Sequence, residues 1–135
     1  MFGDSGFIAL KKALEVCALR QKVISNNIAN LTTPYFQPSR VEFEEILRQR
    51  MRECKLRGKR THARHLPLGR VRLKDIIDIA PRIRVNNAPI PEGKINNVVL
   101  EKEMTEMAQN AIKHEGSTKL LAYKYKLLLS AIGGK

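Results

Sequence analysis

At 135 residues the chain has the length of one domain, and 43% hydrophobic residues are enough for a core, yet there is no Trp and aromatics are only 5%, which favours aliphatic helix packing over a sheet sandwich. The net charge is +12 with a pI of about 10.1, a balance that calls for an acidic partner, nucleic acid, a membrane surface or a crowded assembly. Two cysteines, Cys17 and Cys54, indicate neither a disulfide scaffold nor a Cys-rich metal site, and no run approaches the roughly 18 apolar residues of a membrane helix.

From Met1 to Lys12 the Lys pair follows the apolar residues and no long apolar core comes after it, so a cleavable secretory signal is not expected. Phe7, Leu10, Leu14, Cys17, Gln21, Ile24, Ile28 and Leu31 then step by threes and fours, the a/d pattern of a helix with one narrow seam. Ser5 is the expected N-cap. Thr33-Pro34 ends the helix, because proline turns the preceding residue away from helical dihedrals and cannot donate the next hydrogen bond.

Ser39-Arg-Val-Glu42 matches a capping box and predicts a short helix over Arg40–Leu56, with Val41, Ile46, Leu47 and Met51 apolar and Glu44 and Arg48 paired at i,i+4. A basic stretch follows. Arg48 to Arg84 holds thirteen Lys or Arg against three acids (Glu53, Asp75 and Asp78), a local balance of +10. Arg70-Val-Arg-Leu-Lys74 alternates and predicts a short strand or extended arm. Pro81, Pro89, Pro91 and Gly93 punctuate a long connection to Asn96-Asn97.

The C-terminal stretch carries a second seam: Leu100, Met104, Met107, Ala111, His114, Thr118, Leu121, Tyr125, Leu128 and Ile132. Asn97 is the expected N-cap, Glu101 and Glu103 suit the positive end of the helix, and Gly133-Gly134 closes it. The two seams would reach roughly 40 and 50 Å, too long for the core of a compact small domain. They therefore predict helices that close on each other or on copies of themselves, and order only when paired. The expected fold is mostly α. Long N- and C-terminal helices form a coiled-coil pair over 1–34 and 96–135, and 35–95 holds a short middle helix and an irregular or extended basic segment.

Catalysis has little support. His62 and His65 sit among arginines and lysines with no third ligand nearby, and His114 reads as a polar register-setting residue of the seam. Cys17 reads as a small hydrophobe on the seam. No Gly-rich phosphate loop, nucleophile elbow or paired-carboxylate arrangement is visible, so the expectation is no enzyme, no cofactor and no metal. Nucleic acid is the alternative partner: Lys55-Leu-Arg-Gly-Lys-Arg60 could neutralise phosphates within the basic 48–84 segment. That segment lacks interleaved aromatics for stacking on bases.

One stretch is more specific than periodicity. Ser25, Asn26, Asn27, Ile28, Ala29 and Asn30, followed by Leu31, Thr32, Thr33, Pro34 and Tyr35, resemble the S-x-N-I-A-N-x-x-T-P-G-Y signature of the bacterial flagellar axial proteins, the rod, hook and hook-associated proteins. Asn96-Asn-Val-Val-Leu-Glu-Lys-Glu-Met104 is similar to the start of the C-terminal helix in the short rod proteins, and length and the helix at Phe43–Leu47 point to the proximal kind. The glycine between Pro34 and Tyr35 is missing, so the turn closes without its left-handed residue or shifts by one.

The resemblance implies a structural subunit that assembles through its terminal helices. The assembly seam is then Leu10, Leu14, Ile24, Ile28 and Leu31 with Leu100, Met104, Met107, Ala111, Leu121, Tyr125, Leu128 and Ile132. It also implies export through the flagellar type III apparatus without a cleaved signal, and assembly in the periplasm at the rod base. The implied partners are copies of itself, other rod proteins, and the membrane ring and adaptor proteins there. Neither specific nucleic acid nor membrane insertion is implied.

Overall fold

The structure, a computed structural model, describes residues 4–56 and 79–133. In chain order it places helix α1 (Asp4–Ala29), strand β1 (Ser39–Glu42), helix α2 (Glu44–Leu56), strand β2 (Arg82–Val85) and helix α3 (Leu100–Gly133). The chain forms two compact units, one of residues 1–41 and 83–135 and one of residues 42–82. It is mostly helical, with long helices at both ends and a short one between them.

In the first unit α1 and α3 lie antiparallel. Phe7 meets Tyr125, Cys17 meets Asn110, and Asn27 meets Glu103, so residue numbers rise on one helix as they fall on the other. The core is aliphatic and narrow: Val16, Cys17, Val23 and Ile24 of α1 are buried, as is Val98 just before α3. At about 1.5 Å per residue the helices are ~39 and ~51 Å long, as the two seams require.

Along the α1 stripe Leu10, Leu14, Ile28 and Leu31 are half-buried and Cys17 and Ile24 are buried, while Val16, Val23 and Asn27 are buried from outside the expected stripe. Ser5 lies inside the first turn of α1 and is not its cap. Beyond Ala29 the chain winds down through turns, the Leu31 amide donating to the Ile28 carbonyl and Thr33 to Asn30, both at 3.1 Å.

The capping box at Ser39 does not open a helix. Ser39–Glu42 is strand β1, paired with β2. The Asn86 amide donates to the Pro38 carbonyl (2.9 Å) at the end of the ladder where β1 begins and β2 finishes, which makes the pair antiparallel. The physical reason for the departure is that both backbone groups of Ser39 are already bonded in an extended conformation to the side chain of Asn27.

In the second unit, helix α2 starts at Glu44, with Leu47 N–H donating to the Phe43 carbonyl at 2.8 Å. Glu44 and Glu45 sit in the first turn, at the positive end of the dipole. Arg48 pairs with Glu45 one turn away (3.1 Å). Phe43 and Ile79 are buried. The expected strand at Arg70–Lys74, the histidines His62 and His65, and the stretch Gly58–Arg60 lie outside the described residues.

The return to α3 is ordered by turns. Lys94 N–H closes on the Pro91 carbonyl (3.1 Å) with Gly93 at φ 79°, a type II turn that needs a left-handed residue at that position. Asn97 is not the N-cap of α3. Its amide is spent on Gln37 Oε1 (3.0 Å) and the Ala88 carbonyl, and the helix opens at Leu100 with the Lys102 and Glu103 amides donating to Val99 O.

The missing glycine of the signature has a clear outcome: the left-handed residue is present, and it is Tyr35, at φ 59°. Its amide donates to the Ile95 carbonyl (2.9 Å), which holds the bend in place, while the ring stays 82% exposed. Phe36 turns inward and is half-buried. Left-handed backbone costs a Cβ-bearing residue about 1–2 kcal/mol. Tyr35→Gly is therefore expected to raise stability by about 0.5–1 kcal/mol after the greater freedom of unfolded glycine is deducted, and Tyr35→Ala to leave it near the parent value. Urea denaturation of the three proteins measures both.

Candidate functional site

The asparagines of the signature sit where α1 ends, and the end of the helix pair is built on them. A helix leaves its last carbonyls without intrahelical partners. Here they are met from a distance in sequence: Asn96 Nδ2 lies 3.3 Å from the Asn30 carbonyl, 2.6 Å from Leu31 and 3.1 Å from Thr33. Asn96 Oδ1 accepts from the Val98 amide (3.1 Å), which directs the chain toward α3. Within the turn, Asn30 Nδ2 donates back to the Asn26 carbonyl (2.8 Å) and Thr33 Oγ1 donates to Asn30 Oδ1 (3.2 Å).

Asn27 joins three elements. It is 1% exposed, and its amide is used on both sides. Nδ2 donates to the Ser39 carbonyl (2.9 Å) and to Glu103 Oε2 (3.0 Å), while Oδ1 accepts from the Ser39 amide (3.0 Å). One side chain thus mimics a strand edge for β1 and ties α1 to the first turn of α3. Arg40 and Glu106 add an ion pair beside it at 3.3 Å, part-exposed and so worth little by itself.

Two turns along the pair, Asn110 is buried between the helices, its Nδ2 donating to the Cys17 carbonyl (3.0 Å) and to Gln21 Oε1 (3.1 Å). Its Oδ1 is buried without a partner. At the far end the Phe7 and Tyr125 rings meet edge to face, centroids 4.8 Å apart, a favoured aromatic geometry. The Lys124 ammonium end lies over Gly6.

The face of α3 that meets α1 is therefore not the expected one. Glu103 and Asn110 are buried, and Met107, Ser117, Leu121 and Lys124 are half-buried. Of the expected α3 seam, Met107 and Leu121 lie on this face. Leu100, Met104, Ala111, Leu128 and Ile132 are exposed, and Tyr125 is half-exposed beside Phe7. His114 is exposed, and Asn110 is the polar residue inside the pair. The contact line shares Met107 and Leu121 with the expected seam and takes Glu103, Asn110, Ser117 and Lys124 where that seam has Met104, Ala111, Thr118 and Tyr125. Hydrophobicity alone selects Met104 over Glu103 and Ala111 over Asn110. In the signature, Asn27 is buried, Ile28 and Asn30 are half-buried, and Ser25, Asn26, Ala29, Thr33, Pro34 and Tyr35 are exposed. Among the described residues no three His, Cys, Asp or Glu gather as metal ligands.

Two antiparallel end helices, closed by buried asparagines and leaving much apolar surface uncovered, define a structural subunit of the kind that packs into a larger assembly. No family model matches the chain. It is 32% identical over 127 residues to the flagellar basal body rod protein FlgB of Bacillus subtilis, covering 93% of this chain and 92% of that protein. The FlgB of Yersinia enterocolitica is 32% identical over 127 residues (90% and 89% covered), and that of Borreliella burgdorferi 33% over 116 residues (84% of each). The chain belongs to the FlgB family of flagellar basal body rod proteins. It is a structural subunit of the flagellar rod, and the nucleic-acid-binding alternative gains no support from these relatives.

The two buried asparagines differ in a measurable way. Asn27→Ala strands both backbone groups of Ser39 and the buried Glu103 carboxylate, and is expected to cost about 3–5 kcal/mol. Asn110→Leu removes an acceptor that is already unpartnered, and its cost is expected to stay within about 1 kcal/mol. Chemical denaturation followed by circular dichroism compares the two.

Proposed function

We propose that this subunit polymerises through its α1–α3 pair at the proximal end of the rod, on the periplasmic side of the membrane ring. The observation that carries the reading is the antiparallel pair itself, with the asparagine signature at one end and large apolar side chains still exposed along α3. A helix that remains apolar outside its own pair gains stability by burying that surface against neighbours. In this reading the residues Leu10, Leu14, Ile24, Ile28 and Leu31, with Met107 and Leu121, hold the subunit together. Leu100, Met104, Ala111, Leu128 and Ile132 are left for neighbouring subunits, and Tyr125, packed on Phe7 on one side, offers them its exposed side. The segments 1–34 and 96–135 form the polymerising element.

The partners are then copies of itself, other rod proteins, and the ring and adaptor proteins of the rod base, reached by export through the flagellar type III apparatus without a cleaved signal. No helix among the described residues is long and apolar enough to cross a membrane. The role is mechanical: it needs no cofactor, no catalysis and no specific nucleic acid.

Ile24 is 2% exposed and Leu121 is half-buried opposite α1. Ile24→Asp or Leu121→Asp places an uncompensated charge inside the pair. Both variants are expected to abolish rod assembly and swimming in soft agar while the protein is still made, as immunoblotting verifies. Parent-like swimming by both would overturn the reading.

A further inference from the structure

We infer that α3 carries a second docking seam, facing away from α1, that receives an amphipathic helix with acidic flanks from a different protein. The inference rests on the assembly reading above and adds the chemistry of one partner.

Ile112, Gly116, Leu120, Tyr123 and Leu127 recur at intervals of four, four, three and four residues. At about 100° per residue they fall in one stripe, roughly 120° round the helix from the line of Glu103, Asn110 and Leu121 that meets α1. The four large side chains are 53–70% exposed. Such spacing is the seam of a helix–helix contact, and an exposed apolar run of this length marks an interaction surface. In the middle of the stripe Gly116 leaves open space, with nothing within 4 Å of where a Cβ would stand. It forms a notch between Ile112 and Leu120 that can take a knob from the partner.

Charge chooses the occupant. From Ile112 to Ala131 there are four lysines against one acid, Glu115; Lys119 pairs with that acid at 2.6 Å and Lys124 lies against α1, while Lys113 and Lys126 are exposed beside the stripe. Flanking charges set partner choice in helix pairs. A second copy would bring α1, where the exposed or half-buried Lys11, Lys12 and Lys22 outnumber Glu15, or the same lysine-rich stripe of another α3, from a chain of net charge +12. Like charges facing each other across the seam disfavour both. An apolar helix flanked by Glu or Asp satisfies the seam and its flanks together.

The test uses the full purified chain and two labelled synthetic helices, each with Leu on its seam, one with Glu flanks and one with Lys flanks, followed by fluorescence anisotropy. The Glu-flanked helix is expected to bind at least about tenfold more tightly than the Lys-flanked one. Leu120→Asp combined with Tyr123→Asp is expected to remove that binding while circular dichroism stays at the parent value, because both positions face away from α1. Gly116→Leu is a second probe: it fills the notch, strengthens helix propensity, and is expected to weaken the peptide without loss of fold. Equal binding of the two peptides, or binding untouched by both variants, overturns the inference. So does self-association of the parent that Leu120→Asp abolishes, since the occupant would then be a second copy. Failure of the assembly reading shows separately, as normal swimming of the Ile24→Asp and Leu121→Asp strains.

Discussion

The structure depends on the amide of Asn27. A single buried side chain supplies two donors and an acceptor, and with them it fixes three things: where α1 stops facing β1, where α3 begins, and in which register the two helices meet. Carboxamides suit this work because they donate and accept from one rigid plane, so the same group can pair with a backbone strand edge and a carboxylate at once. In a low-dielectric setting each bond is strong, and each loss is costly. This explains why a narrow aliphatic core, with only a few buried valines and one buried isoleucine on α1, can be held in one register.

Asn96 and Asn110 extend the same logic along the pair. Asn96 caps the carbonyls at the end of α1 from more than sixty residues away, which makes the end of one helix conditional on the start of the other. Asn110 sits between the helices with one oxygen unpartnered. A buried amide of this kind lowers stability and raises specificity, since a slip of register would bury it with fewer partners still. The α1–α3 contact is therefore specified more by polar geometry than by apolar area.

That balance decides what was legible in the sequence. The α1 stripe from Phe7 to Leu31 was readable because its residues are nearly all apolar, although Val16, Val23 and Asn27 are buried from beside it. The α3 contact face was not, because Glu103, Asn110, Ser117 and Lys124 look like surface residues until the groups opposite them are known. The Asn-rich signature gave a reason for amides at the end of α1, yet nothing local reveals that Asn27 takes Ser39 as a partner. Without that knowledge Ser39–Glu42 reads as a capping box, and the strand is missed. Tyr35 is the opposite case. A bulky aromatic disfavours left-handed backbone, so only the surrounding bonds, Tyr35 to Ile95 and Asn96 to the helix end, could show that the bend survives the loss of its glycine.

On α3, polar groups toward α1 and apolar groups outside the pair invert the usual order for a helical hairpin, and the inversion suits a part built for assembly. If α3 spent its leucines on α1, the isolated subunit would gain a larger core, and its outer face would offer neighbours little. Hydrogen bonds are directional and saturable, whereas apolar burial is neither. Using the first to define the subunit leaves the second to join it to others. The two faces of α3 can then differ in both geometry and charge. The face toward α1 is set by amides, and the outward stripe of Ile112, Leu120, Tyr123 and Leu127 stands among lysines.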